Sequence, residues 1–283
     1  MRIAFYAPLK PPDHPVPSGD RRTAQLFLAA LREAGHEPAL AARLRSFEGS
    51  GNAPRQERLA ALGRKLALRY LRQCRAAPQT APELWLTYHI YHKAPDWLGP
   101  TVAAELGIPY VVAEASFAPK QAAGRWALGH RAAEQAIRQA ALVIGLNPAD
   151  RGCVLPLLRC AAQWVAMTPF LDARSLPVRA GSGAGAPRLI AVAMMRQGDK
   201  LASYRILGDA LARLCDLPWS LEVVGDGAAR PDVARALASL GNRVRWSGAL
   251  DADHVARRLA AADLCVWPAV NEAFGMALLE AQA

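Results

Sequence analysis

The chain has 283 residues, 52% of them hydrophobic and 20% charged, which is enough apolar material for two domains with a core each and excludes global disorder. Its 34 basic side chains outnumber 24 acidic ones for a formal net charge of +10, and only Lys10, Lys65, Lys93, Lys120 and Lys200 are lysines. The arginine excess suits anionic partners such as nucleotide diphosphates, but the arginines are spread through Ala/Leu stretches and no basic run is interleaved with aromatics, which sets nucleic acid aside.

In chain order, the β-rich runs of the first half are Arg2–Tyr6, Pro38–Ala42, Leu84–Tyr88, Tyr110–Ala113, Leu142–Gly145 and Trp164–Met167, with helical stretches such as Asp20–Ala34 and Arg55–Ala77 between them. Most of these strands read as apolar on both sides, as strands covered by helices do. Residues 179–187, Arg179 followed by eight small or turn-forming residues without periodicity, have the composition of a linker. Alternation then resumes: strand Arg188–Met194, helix Ala202–Cys215, strand Ser220–Val224, helix Asp232–Leu240, strand Arg243–Trp246, helix Asp251–Ala262, strand Leu264–Trp267 and a last helix Gly275–Ala283. The pattern predicts an α/β fold with parallel sheets and right-handed crossovers. It divides into a first domain at 1–170, a linker at 171–187 and a second domain at 188–283, the two domains facing each other across a cleft.

Ligands of open α/β sheets sit beyond the carboxyl ends of the strands, so chemistry is expected in the loops after Tyr6, Met194, Val224 and Trp267. After the first strand, Ser18-Gly19-Asp20 places a glycine and an Asp N-cap ahead of helix Arg21–Ala34, with backbone N–H groups turned toward a ligand. After Met194, Arg196 and Lys200 are two cations four residues apart, suited to a diphosphate leaving group. Gly225-Asp226-Gly227 allows close backbone approach to a nucleotide, but Arg230 occupies the third glycine position of a dinucleotide fingerprint, which argues against a dehydrogenase.

The most informative segment is the last. Glu272 and Glu280 bracket Phe274-Gly275, so that one carboxylate falls on a strand-to-helix turn and the other two turns along the helix. N–H groups at Phe274, Gly275 and Met276 would face an anion, while the carboxylates accept bonds from sugar or ribose hydroxyls. Two glutamates on an amphipathic helix are as often solvated surface, and it is the company they keep that favours a site.

Taken in order, Ser18-Gly19-Asp20, Val224-Gly225-Asp226-Gly227, Trp246-Ser247-Gly248-Ala249, Ala262-Asp263-Leu264 into Trp267-Pro268, and the Glu272–Glu280 motif resemble the retaining glycosyltransferases of family 4, two-domain enzymes of the GT-B fold, of the glycosyl transferases group 1 type. The resemblance implies two Rossmann-like domains, an acceptor side in the first and nucleotide-sugar binding in the second. It assigns the donor diphosphate to Arg196 and Lys200, the transferred sugar to Glu272 and the ribose to Glu280, with Gly19, Gly225, Gly227, Phe274 and Gly275 binding the donor. It implies no metal and no cofactor apart from the nucleotide-diphosphate sugar as donor substrate, and a glycan or lipid acceptor.

Two departures stand out. Where many relatives have a histidine after the fourth strand, this chain reads Glu114-Ala115-Ser116; His89, after the third, is either a cleft residue or a structural one. Relatives also continue past the Glu272–Glu280 motif, so a second domain truncated at Ala283 with an unprotected sheet edge is expected. A catalytically inactive GT-B scaffold is the alternative reading; a nucleic-acid-binding protein is favoured by charge alone. The five cysteines form no CxxC and no metal-ligand spacing, the apolar start is cut at Pro8, and no run of 18 apolar residues occurs. A reduced, cytoplasmic setting is expected, at most peripheral to the inner face of a membrane.

Overall fold

A computed structural model of the chain describes residues 1–174, 176–177, 185–272 and 275–283. It falls into two units, Met1–Thr168 and Pro169–Ala283, each built on its own parallel sheet. Of the predicted linker, Ser175 and residues 178–184 lie outside the described residues.

The first unit runs β1 (Arg2–Tyr6), α1 (Gly19–Glu33), β2 (Glu37–Leu40), α2 (Ala53–Ala76), β3 (Leu84–Ile90), α3 (Gly99–Leu106), β4 (Tyr110–Ala115), α4 (Ala127–Gln139), β5 (Leu142–Gly145), α5 (Arg151–Val154) and β6 (Trp164–Ala166). The sheet order is β2-β1-β3-β4-β5-β6, so the winding reverses between β1 and β3. β3 and β4 are covered on both faces, which is why they are almost uninterruptedly apolar. Tyr6, Trp85, Leu98, Val112 and Ile137 form the centre of the core, with the Trp85 ring edge-on to Tyr6 and Tyr70. Asp96, a carboxylate buried there, accepts from Thr87 Oγ1 at 2.6 Å, the Leu98 and Gly99 amides at 2.8 Å each and the Tyr110 hydroxyl at 3.1 Å, so its burial is compensated. β6 departs from the expected two-sided burial: it is the sheet edge, and Val165 is exposed.

α1 starts differently from the sequence reading. Ser18, not Asp20, is the N-cap, its Oγ accepting from the Arg21 amide at 3.3 Å; Gly19 is the first helical residue and Asp20 lies in the first turn. Both residues have cap chemistry, and only the extended backbone at Ser18 decides between them.

The second unit runs β7 (Arg188–Val192), α6 (Asp199–Ala212), β8 (Ser220–Val224), α7 (Arg230–Ala236), β9 (Val244–Gly248), α8 (Ala252–Ala261), β10 (Leu264–Cys265) and α9 (Met276–Gln282). The order β10-β7-β8-β9 puts its reversal between β7 and β10. Leu189, Ala191, Tyr204, Leu221, Val223 and Leu237 fill the core. The expected buried strand Leu264–Trp267 is a two-residue edge strand with Leu264 mostly exposed, because β7 is its one neighbour. Its start is held by a reciprocal clasp: the Arg188 amide donates to Asp263 Oδ2 at 2.8 Å, and the Asp263 amide donates to the Arg188 carbonyl at 2.8 Å. The helix expected over Asp232–Leu240 stops at Ala236 and tightens into a 3-10 turn that ends by Gly241, at φ 56°. No helix among the described residues is long and apolar enough to cross a membrane.

Candidate functional site

Each sheet carries an ion pair between the two elements that flank its reversal, the place where open α/β sheets leave a crevice. In the second unit the pair is Lys200 and Glu272. Lys200 enters on the first turn of α6, after β7; Glu272 sits on the loop between β10 and α9; the ammonium bonds the carboxylate directly. The Trp267 ring backs this contact: Lys200 Nζ lies 5.4 Å from its centroid, its indole N–H points at Glu272 Oε2 at 3.4 Å, and Tyr204 packs edge-on against it at 4.9 Å.

The loop bearing Glu272 is tied to the same face of α6 at three points. Ser203 Oγ accepts from the Val270 amide at 3.0 Å, Asp199 Oδ1 accepts from Asn271 Nδ2 at 3.1 Å, and Lys200 takes Glu272. These ties hold Ala269 and Asn271 in left-handed conformations, φ 57° and 48°, that would otherwise be unfavourable for side-chain-bearing residues. Gly275 precedes α9 at φ 56°, and no side chain caps that helix. Glu280 lies on α9, half-buried. Phe274 lies outside the described residues.

Arg196 does not join Lys200. Its side chain is exposed and turned toward Met194 Sδ, while its carbonyl accepts from the Leu201 amide and so shapes the entry to α6. The Gly225-Asp226-Gly227 turn has a structural requirement that the sequence reading assigned to a ligand: a Cβ on Gly225 would stand 2.0 Å from the Ala193 carbonyl oxygen, and one on Gly227 2.3 Å from that of Met195. Both glycines have φ beyond +130°, and Met195 is stitched to this turn by bonds with Asp226 and Ala229. The two loops at the carboxyl ends of β7 and β8 are thereby fused. Next to them Arg230 stacks on Trp246 at 3.6 Å with Nη1 buried and unpaired.

In the first unit the pair is Asp20 and His89. Asp20 follows β1 on α1, His89 stands near the carboxyl end of β3, and His89 Nδ1 meets Asp20 Oδ1 at 3.0 Å. The register Tyr88–Ala113 and Ile90–Ala115 sets His89 opposite Glu114 on β4. Both have positive φ, 62° and 63°, inside strands, at a cost of about 1–3 kcal/mol each. Burial would lower the pKa of His89, but the bond and charge of Asp20, with Glu114 and Asp150, raise it. Burial would raise Asp20, yet His89 and Lys10 bring it below the usual carboxylate range. Glu114 is raised chiefly by burial, and its Oε2 is buried without a hydrogen-bond partner. Asp150 is also raised by burial, offset in part by Ser116 and His89. In sequence, Asp20 reads as a helix cap and Glu114 as a departure from a family pattern; neither signal reveals that they share one cluster.

Gly19, at the N-terminal turn of α1, is exposed next to this cluster. Among the described residues no three His, Cys, Asp or Glu side chains converge to hold a metal ion.

Residues 186–283 match the family model described as Glycosyl transferases group 1. The match spans about a third of the chain and supports a transferase. The Lys200–Glu272 pair and the fused glycine turns all lie within the matched residues. The fold is α/β with parallel sheets of the GT-B kind and is similar over 99% of the chain to the apo form of the lipopolysaccharide outer core galactosyltransferase WaaB, at 17% identity and a TM-score of 0.65, covering 78% of that chain. WaaG, a glycosyltransferase involved in lipopolysaccharide biosynthesis, aligns over 99% of this chain and 78% of its own at 15% identity and a TM-score of 0.57. The complex of S. aureus MnaA with UDP aligns over 93% and 73% at 12% identity and a TM-score of 0.53. At these identities the likeness is one of fold. No curated protein sequence matches the chain.

Proposed function

We propose that the chain is a retaining glycosyltransferase that moves a sugar from a nucleoside-diphosphate sugar to an acceptor hydroxyl, in glycan or glycolipid synthesis. The observation that carries this reading is the Lys200–Glu272 pair at the sheet reversal of the group 1 domain: the two residues expected to serve the diphosphate and the sugar are neighbours in space. Of the proteins that share the fold, WaaB is named a lipopolysaccharide outer core galactosyltransferase, WaaG a glycosyltransferase involved in lipopolysaccharide biosynthesis, and MnaA is seen with UDP.

In this reading Lys200 and Arg196 hold the diphosphate, Glu272 accepts hydrogen bonds from the transferred sugar, Glu280 reaches the ribose, and the backbone at Gly19, Gly225, Gly227 and Phe274-Gly275 lines the donor. As the bond from C1 to the diphosphate oxygen breaks, the acceptor oxygen bonds C1 on the same face and its proton passes to the departing diphosphate. Lysine and arginine stabilise the charge that collects there. No metal is assigned to this step. The same reading expects a cytoplasmic chain in peripheral contact with the inner face of a membrane.

The test is a thermal-shift panel of UDP-, GDP- and ADP-sugars, followed by NMR of the transfer product. A stabilising nucleotide sugar and a product with the donor's anomeric configuration are expected. An inverted product, or no stabilisation by any nucleotide sugar, overturns the reading.

A further inference from the structure

Ser203 is a polar residue on the buried face of α6, among Leu201, Tyr204 and Leu207. It is 1% exposed and its hydroxyl is fully used: Oγ donates to the Asp199 carbonyl at 2.9 Å and accepts from the Val270 amide at 3.0 Å. Alanine would fill the same place with better helix propensity, so packing gives no reason for the hydroxyl. Its partner gives one. Val270 stands between Ala269 at φ 57° and Asn271 at φ 48°, in a turn closed by the Glu272 amide donating to the Ala269 carbonyl at 3.1 Å. Asparagine enters the left-handed region readily, whereas alanine does so at a cost that its surroundings must offset. Of the three ties from this loop to α6, the Asn271 and Glu272 ties act on side chains; the Val270 tie acts on the backbone, next to the strained alanine.

We propose that Ser203 is a positioning residue for Glu272. Its hydroxyl fixes the turn 269–272, and the turn sets the Glu272 carboxylate on Lys200. Lys200 and Ser203 lie three positions apart on one helix, so a single rigid element carries both the cation and the mount of its partner. The role deepens the transferase reading, on which it rests for Glu272 being a contact of the sugar; the geometry it asserts needs no substrate.

A triple-mutant cycle on the full chain tests it. The coupling between Lys200→Met and Glu272→Gln, read from urea unfolding, is expected to be about fivefold in the folding constant and to fall to about twofold or less in the Ser203→Ala background. Ala269→Gly, which enters the left-handed region without the tie, should restore the coupling in that background. Ala269→Val, which strains the turn without touching α6, should lower the coupling by itself, and it carries the test if Ser203→Ala does not fold. A serine that only supported the fold would lower the stability of all four members of the cycle alike and leave the coupling intact. In steady-state kinetics Ser203→Ala should lower kcat about tenfold with the donor KM within about twofold of the wild type, and Ala269→Gly should recover kcat. Coupling absent from the wild type, coupling unchanged by both Ser203→Ala and Ala269→Val, or a wild-type kcat in Ser203→Ala overturns the proposal. Coupling that follows Ser203 in a chain that no nucleotide sugar stabilises would sink the transferase reading and leave the positioning of Glu272 standing.

Discussion

Lys200 and Glu272, 72 positions apart, meet across the reversal of the second sheet, so that the carboxylate and the ammonium hold each other in place. In the proposed reading a donor shares these two groups, and their effects on turnover are coupled. Lys200→Met and Glu272→Gln are each expected to lower kcat/KM by about 10- to 100-fold, the range of a charge-assisted hydrogen bond of about 1.5–3 kcal/mol. The double variant should lose less than the product of the two, measured as a double-mutant cycle on steady-state kinetics; strict additivity would mean that the pair does not act as a unit.

The two glutamates of the last segment are expected to fail differently. Glu272→Ala should reduce kcat, because contacts to the transferred sugar strengthen as charge develops at its anomeric carbon. Glu280→Ala should mainly raise the donor KM, the mark of binding that is equal in ground and transition states. Full kinetic profiles against donor concentration check this; equal loss of kcat in both would remove the division of roles.

Gly227→Ala should destabilise the second unit itself. Its Cβ would stand 2.3 Å from the Met195 carbonyl oxygen on a backbone at φ 150°. The left-handed penalty of about 1–3 kcal/mol comes on top of the displacement of a hydrogen-bonded loop. Chemical denaturation should show the loss with no ligand present, and a variant as stable as the wild type would contradict the packing explanation for this turn.

Two histidines of the first unit respond to pH with opposite sign. His89 has a folded pKa raised above its unfolded value of about 6.5, so the stability it contributes is full below that value and is lost as pH rises through the folded pKa. Asp20, lowered in the fold, adds stability that is lost only as pH falls below the usual carboxylate range. His92 is pushed down to about 4 by burial and by the charges of Lys93, His130 and Lys120, so it costs stability as pH falls from about 6.5 toward 4. Urea unfolding at pH 5 and pH 8 separates them. His89→Gln should be more damaging at pH 5 than at pH 8, and His92→Gln should be relatively stabilising at pH 5.

The strands that the sequence places to the residue, Arg2–Tyr6, Leu142–Gly145 and Ser220–Val224, are apolar runs closed by proline, glycine or a charged turn. β3 runs two residues past its expected end at Tyr88 because His89 stays in the ladder with a positive φ, for which histidine gives no local signal. Helices Gly99–Leu106 and Ala127–Gln139 carry weak sequence signals, with no side chain capping either N-terminus. The strand expected over Leu264–Trp267 starts at Leu264 but ends at Cys265 and lies at the edge, since an apolar run does not reveal which strand will be the edge. The Lys200–Glu272 contact follows from no periodicity; it came within reach through the order of several short motifs, whereas the Asp20–His89–Glu114 cluster depends on winding and on two backbone conformations that only the folded chain exhibits.

The clasp between Arg188 and Asp263 has a dynamic consequence. β10 hangs on β7 through Leu264 and Cys265, extended by the Asp263 and Val266 amides bonded to the Arg188 and Ile190 carbonyls, and no strand covers its other side among the described residues. Releasing these few bonds leaves the segment that carries Glu272 held by its ties to α6 while β7, β8 and β9 stay paired. In native-state hydrogen exchange, then, the Asp263 and Val266 amides belong to a small opening unit that exchanges ahead of the Leu221–Val224 amides at the sheet centre. The lifetime of a two-residue strand thus limits how long the loop between β10 and α9 keeps its anchor on the sheet, while Ser203, Asp199 and Lys200 go on holding it to α6.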